Sequence, residues 1–299
     1  MLVYSHSDCL GHTAPDDHPE RADRLRAVER GLAGLPVTRR DCPMGEEADV
    51  LRCHPGAYLD RVKAKLPDEG LAMMDGDTFL SPGSWKAAMR AVGGACAAVD
   101  AVLGGEANRA FVATRPPGHH AETARAMGFC LFGNVAIAAK RALDHHGLSR
   151  VAIVDFDVHH GNGTQDLMWE EGRCLFVSSH QMPLYPGSGS PSEQGAQGQI
   201  VNVPLREGTG GAAMRAAYQA QVFPRLEEWQ PELLLISAGF DAHADDPLAG
   251  LAWQAEDFGW LTRELVRRSG GRVVSVLEGG YDLEALAESA AAHVDALRN

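Results

Sequence analysis

Aromatic residues make up only 6% of this 299-residue chain, and no apolar run approaches the ~20 residues needed to span a bilayer. The amino terminus, Met1-Leu-Val-Tyr-Ser-His, turns polar after four residues, too soon for a secretory signal. Basic residues are also scarce: 27 Lys and Arg stand against 40 Asp and Glu, for a net charge of −13, and no basic run occurs. That balance argues against a nucleic-acid or anionic-membrane surface. The six cysteines (Cys9, Cys42, Cys53, Cys96, Cys130, Cys174) show no C-x-x-C spacing, so a disulfide framework is not expected. No Walker loop and no G-x-G-x-x-G occurs, which removes the common nucleotide sites. G-x-S-x-G is absent from any strand-to-helix turn, so serine-nucleophile chemistry has little support. These absences predict a soluble, cytoplasmic protein with no nucleic-acid or membrane partner.

What is present is concentrated at the ends of short apolar runs. Val151 to Gly163 (V-A-I-V-D-F-D-V-H-H-G-N-G) delivers Asp155, Asp157, His159 and His160 into glycines. Asp157 and His159 are two apart, so on an extended backbone their side chains share a side and can meet at one cation. Leu233 to Asp241 (L-L-L-I-S-A-G-F-D) follows the same grammar and supplies a third ligand, Asp241. Two carboxylates and one imidazole leave a coordination position open, the catalytic arrangement of zinc. Asp155, one step deeper on the same face, is better placed to orient a histidine or hold a second cation than to share the first metal.

Two more runs add to the group. Arg109 to Ala121 (R-A-F-V-A-T-R-P-P-G-H-H-A) presents His119 and His120 after a proline-forced turn. Val273 to Tyr281 (V-V-S-V-L-E-G-G-Y) presents Tyr281 behind two glycines. In an open parallel sheet, ligands bind beyond the carboxyl ends of strands, so these segments are expected to share one crevice. A second doublet, His145-His146, closes an amphipathic stretch before Gly147 and reads as a helix end.

Eight apolar runs are expected as strands, near Leu2, Val37, Ala110, Val151, Leu175, Ile200, Leu233 and Val273, several apolar throughout, as strands covered on both faces should be. Helical patterns cover Glu20–Leu32, Pro82–Leu103, Asn134–Leu143, Gly211–Glu228, Glu256–Arg268 and Leu283–Leu297. Ser81-Pro82 reads as a cap followed by proline at the first helical position. Alternating strands and helices predict an α/β doubly wound sheet in a single domain over 1–299. The longest loop signal, Pro186 to Gly198, is expected to shape a binding site.

A metal beside a histidine base and a phenol can hydrolyse an amide: Lewis acidity polarises the carbonyl, the imidazole moves protons and the phenol steadies the oxyanion. The motifs R-P-P-G-H-H-A, D-F-D-V-H-H-G-N-G-T-Q, S-A-G-F-D-A and E-G-G-Y, with His18 to Arg26 and Leu80 to Trp85, resemble the histone deacetylase superfamily along nearly the whole chain. The resemblance implies the three-layer arginase-deacetylase fold, an eight-stranded mainly parallel sheet flanked by helices. It makes Asp157, His159 and Asp241 the ligands of one Zn2+, Tyr281 the carbonyl-polarising phenol, His120 the general base and His119 its electrostatic companion. Asp155 is then the partner of His119 and Asn162 that of His120, asparagine being typical of the class II-like branch that includes bacterial amidohydrolases.

By the same resemblance, Phe129 and Tyr185 wall an acyl-lysine channel with the Gly128 carbonyl between them, although tyrosine at 185 departs from the usual phenylalanine. Arg21 matches an arginine behind the metal, and Asp77 a rim aspartate that holds substrate amides. A structural K+ is implied on main-chain oxygens around Asp155, Asp157, His159 and Ser179, with the Ser178 hydroxyl. Leu248 stands where a polyamine-selective member carries glutamate, which leans toward acetyllysine-type substrates over acetylpolyamines or other small N-acyl amines. Rival readings are a two-manganese ureohydrolase, which needs an aspartate where Asn162 stands, and a non-catalytic acyl-amine binder, which would be expected to have lost a ligand or the phenol. Homo-oligomerisation is left open.

Overall fold

The computed structural model describes residues 1–299. Its centre is an eight-stranded sheet built from β1 (Leu2–Ser5), β2 (Thr38–Asp41), β5 (Arg109–Val112), β6 (Val151–Asp155), β7 (Cys174–Gln181), β8 (Ile200–Leu205), β9 (Leu233–Ala238) and β10 (Val273–Leu277). A separate antiparallel pair, β3 (Ala72–Met73) and β4 (Phe79–Leu80), lies outside it. The order in the large sheet is β2-β1-β5-β10-β9-β6-β7-β8 and every pairing is parallel. Each expected strand is present, within a residue or three of its expected ends.

Strand residues alternate between two cores. Val3, Phe111, Ala152, Val154, Leu234 and Ile236 face one side; Leu2, Ala110, Val151, Ile153, Leu233 and Leu235 face the other. This is the pleat of a sheet covered on both faces. Edge strand β2, Thr-Arg-Arg-Asp, is exposed throughout, and its charges discourage further pairing.

The helices are α1 (Asp23–Leu32), α2 (Glu47–Val50), α3 (Gly56–Ala64), α4 (Ser84–Leu103), α5 (Asn134–Lys140), α6 (Asn162–Met168), α7 (Gly211–Ala217), α8 (Phe223–Trp229), α9 (Ala255–Arg268) and α10 (Leu283–Arg298). Helices α1 and α7 to α10 cover one face, while α4 and α5 cover the other. The stretch read as one helix over 211–228 is α7 and α8 joined by a π-helical turn, Tyr218–Val222. Helices α2, α3 and α6 carry too short an apolar stripe to stand out from the sequence.

The expected cap at Ser81 is a correction. Helix α4 begins at Ser84 with Gly83 before it, and the Ser81 hydroxyl instead donates to Gly11 O (3.1 Å) and accepts from Thr13 N (3.0 Å). Ser81 ties two loops together, a long-range role that local cap preference does not reveal. The His145-His146 doublet does end a helical segment, a π turn at Arg141–His145 followed by Gly147 at φ +71°, and His146 pairs with Asp100 at 2.7 Å. No helix is long and apolar enough to cross a membrane.

Candidate active site

The four chemistry-bearing segments leave β5, β10, β9 and β6, and these four strands are neighbours in that order at the middle of the sheet. Parallel pairing brings their carboxyl ends out on one edge, so residues 119–120, 281, 241 and 155–159 must meet there.

After β6 the chain is no longer extended. Asp155 Oδ1 accepts from Asp157 N (3.1 Å) and Asp157 Oδ1 accepts from His159 N (2.9 Å), two successive turns that aim both side chains inward. The shared direction of Asp157 and His159 therefore comes from side-chain-to-backbone turns rather than from the strand pleat. Asp241 is fixed across the sheet by accepting from Val158 N at 2.9 Å.

Asp157, His159 and Asp241 place one ligand atom each within 4.8 Å of one another, all buried. His159 Nδ1 lies 3.1 Å from Asp157 Oδ1 and 3.2 Å from Asp241 Oδ2. Asp241 Oδ2 is buried without a hydrogen bond of acceptable geometry. An orphaned carboxylate oxygen beside a second carboxylate and an imidazole is what a divalent cation would satisfy. Two glycines make the approach of the carboxylates feasible: a Cβ at Gly239 would strike Asp157, and one at Gly279 would strike both Asp241 and Asp157. Gly279 N donates to Asp157 Oδ2 at 2.8 Å.

The two histidines differ in their partners. His119 Nδ1 meets Asp155 Oδ2 at 2.9 Å and its Nε2 lies 3.7 Å from Asp157 Oδ2; His120 Nδ1 meets Asn162 Oδ1 at 2.7 Å. Burial disfavours charge on His119, but Asp157 and Asp155 outweigh it and hold the ring well above its ordinary value. Burial lowers His120, and the neighbouring His119 and His159 push it further down. The pair thus divides into a charged ring and a neutral one. Burial also raises the Tyr281 phenol, so it keeps its proton and can donate it.

A cavity of 220 Å³ opens above this cluster, bounded by His120, Phe129, His159, Tyr185, Leu248 and Tyr281, with Gly128, Leu184 and Asp77 completing its wall. The Phe129 and Tyr281 rings meet edge to face with centroids 5.9 Å apart, and Tyr185 stands edge-on to His120 at 5.2 Å. Gly128 and Phe129 both adopt positive φ (55° and 69°), and a Cβ at Gly128 would collide with His120. The strained phenylalanine is anchored by Thr78, whose hydroxyl accepts from Phe129 N at 3.0 Å. A wider cavity of 540 Å³ beside α1 lies elsewhere, and its charged lining, Arg26, Glu29 and Arg30, is already paired with Asp23, Arg39 and Glu284.

Arg21 requires correction. Its side chain is 49% exposed and faces Asp23 at 3.9 Å, away from the cluster. The arginine behind the site is Arg24, fully buried, which donates through Nε to Gly280 O (2.6 Å), through Nη2 to Glu278 O (2.5 Å) and through Nη1 to Glu20 (3.1 Å). Arg21 lies in the loop before α1 and Arg24 in the first turn of the helix, so only the docking of α1 decides which arginine points inward.

Other contributors passed unread in the sequence. Glu278 accepts from Gly118 N (2.7 Å) and His119 N (3.1 Å), joining the histidine loop to the tyrosine loop. Asp246 accepts from Leu248 N (3.0 Å) and Tyr281 N (2.7 Å), fixing the channel wall to the phenol. Glu122 accepts from Asn162 Nδ2 at 2.8 Å. Position beside a motif was the only available signal for these carboxylates, and solvated loop acids give the same one.

The Histone deacetylase domain model matches residues 18–297. The chain belongs to the histone deacetylase family. Among its relatives in that family, the histone deacetylase-like amidohydrolase of Pseudomonas aeruginosa is 42% identical over 275 residues, covering 89% of this chain and 72% of that protein. Histone deacetylase 10, chloroplastic, of Oryza sativa subsp. japonica is 38% identical over 317 residues, covering 97% and 71% respectively. The crystal structure of the HDA15 HD domain superposes with a TM-score of 0.95 at 33% identity, over 100% of this chain and 91% of that one. The deacetylase fold is therefore shared across the entire sheet and its helices.

Proposed function

We propose that the protein is a zinc-dependent amidohydrolase that removes acetyl groups from acylated primary amines, with acetyllysine-type compounds as its substrates. The observation that carries this reading is the convergence of Asp157, His159 and Asp241 with a neutral His120 and a protonated Tyr281 at the foot of one narrow, aromatic-walled channel.

Asp157, His159 and Asp241 would hold the zinc ion. The chemistry supplied on its binding is Lewis acidity toward an amide carbonyl and toward water. Phe129 and Tyr185 flank an extended aliphatic arm, and Leu248 closes the channel with an apolar side chain. His120 Nε2 accepts a proton from the attacking water as the new C–O bond forms. The Tyr281 hydroxyl donates to the carbonyl oxygen as negative charge gathers there. His120 then returns the proton to the nitrogen as the C–N bond breaks, giving acetate and a free amine. His119, tied to Asp155, lowers the basicity of its neighbour, so that His120 is neutral before the attack and gives its acquired proton up readily to the leaving nitrogen. Asp77, which borders the channel, would accept from amide N–H groups of the substrate.

A structural K+ belongs to the same reading. The carbonyls of Asp155, Asp157, His159 and Ser179 and the Ser178 hydroxyl would hold it, and the direct pairing of Asp155 with Ser178 in the β6-β7 register supports this.

The test is steady-state turnover by zinc-loaded protein on an acetyllysine peptide, N-acetylputrescine and free N-acetyllysine, with Asp157→Ala as the blank. Zinc-dependent acetate release favouring the lysine compounds supports the reading. Preference for N-acetylputrescine would replace it with a small-amine deacetylase, and no release from any of the three would overturn it.

A further inference from the structure

His120, Asn162 and Glu122 form a linear chain of hydrogen bonds leading away from the channel. His120 Nδ1 is 2.7 Å from Asn162 Oδ1, and Asn162 Nδ2 is 2.8 Å from Glu122 Oε1. The second Nδ2 proton points at Met127 Sδ, 3.4 Å away.

An asparagine amide can be turned over at little cost unless its partners forbid it. Here they do. A carboxylate accepts and never donates when ionised, and a thioether only accepts, so the NH2 group must face Glu122 and Met127. The amide oxygen is then left facing His120, and against an acceptor the ring must present Nδ1–H. In a neutral imidazole this leaves the lone pair on Nε2. With the amide reversed, Nδ2 would face Nδ1, the proton would move to Nε2, and the ring could no longer accept a proton there.

We infer that Glu122 is a positioning residue which, by fixing the orientation of the Asn162 amide, sets the tautomer in which His120 can act as a base. Glu122 touches no reacting atom and works only through Asn162. The kinetic consequence rests on the deacetylase reading above; the tautomer does not.

The loop bearing Glu122 has other anchors, so removing its carboxylate should not release it. Thr164 N donates to His119 O at 3.0 Å, and Thr123 donates to Asp166 Oδ2 through both N (2.8 Å) and Oγ1 (2.6 Å). Gly163 packs so closely on Ala121 that a Cβ there would strike its backbone. Helix α6 thereby straps the loop on both sides of Glu122.

The experiment compares wild type, Glu122→Leu and Glu122→Gln as zinc-loaded full chains, by kinetics and by long-range proton–nitrogen correlation on 15N-histidine-labelled protein. The wild-type spectrum should show His120 protonated at Nδ1 alone, and Glu122→Leu should show Nε2–H populated. The kcat of Glu122→Leu should fall about tenfold or more with KM little changed, the scale of lost outer hydrogen bonds at such sites. Glu122→Gln, which can still accept from Asn162, should recover most of it. In an Asn162→Ala background, Glu122→Leu should add less than about a twofold further loss, because the two residues act as one unit. An unchanged His120 tautomer in Glu122→Leu, or an equal loss in the Asn162→Ala background, would overturn the inference. A Glu122-dependent tautomer in a protein with no deacetylase turnover would sink the proposed function and still support the inference.

Discussion

The guanidinium carbon of Arg24 lies 4.9 Å from the centroid of the Tyr281 ring, while its Nε donates to the carbonyl of Gly280 next door. One buried cation thus supports the phenol from behind by its charge and by the backbone it holds. Removing it strands Gly280 O and Glu278 O and strips one partner from the buried Glu20. Arg24→Met is expected to lose about 3 to 5 kcal/mol of stability, whereas Arg21→Met, on the surface, should stay within about 0.5 kcal/mol. Urea denaturation of the two variants checks this, and equal losses would contradict the placement of Arg24.

Tyr281 packs through its ring against Phe129, and that contact survives loss of the hydroxyl. Tyr281→Phe should therefore fold and bind substrate normally, while kcat falls by about 100- to 1000-fold, as for removal of one oxyanion donor. Steady-state kinetics with a circular-dichroism check on folding separates this from a packing defect. A kcat within tenfold of wild type would remove the phenol from the reaction.

Gly279 has no room for a side chain between Asp157 and Asp241. Gly279→Ala should push the carboxylates apart and weaken zinc binding by about tenfold or more, the scale expected when groups that orient metal ligands are disturbed. Competition against a fluorescent zinc chelator measures it. Unchanged affinity would mean that the carboxylates do not converge on the metal as described.

His54 is buried between two fixed partners: its Nε2 accepts from Gly133 N at 2.9 Å and its Nδ1 faces Thr123 O at 3.1 Å. Protonation would turn the accepting nitrogen toward another N–H, and burial holds the ring down to about 4. The unfolded chain protonates this histidine near its ordinary 6.5 and the folded chain does not, so stability rises with pH across that window. Stability is full well above pH 6.5 and falls as the pH drops toward 4, the loss from this group reaching about 2 kcal/mol by pH 5. His54→Gln, which keeps an acceptor and a donor without titrating, should show a shallower fall in Tm between pH 7 and pH 5. An identical slope would show that His54 is not the group responsible.

Much of the site was readable before any coordinates. Asp157, His159, Asp241, His119, His120 and Tyr281 stand next to strand-ending glycines, and the apolar runs that deliver them are short enough to have one interpretation. Local chemistry sufficed because a buried parallel strand must be apolar throughout and must stop where polar groups begin. The pairings of His119 with Asp155 and of His120 with Asn162, taken from family resemblance, have the corresponding contacts at 2.9 and 2.7 Å.

The sequence by itself determined the order and type of the sheet elements, the identity of the candidate ligands and the absence of a nucleotide loop. Tertiary structure alone decided which of two arginines faces inward and that Glu122, Asp246 and Glu278 serve the site. The reason is physical. Periodicity and turn chemistry act between residues a few positions apart, whereas the partner of Arg24 is 256 residues away and that of Glu278 is 160, so their roles exist only once the strands have chosen their neighbours.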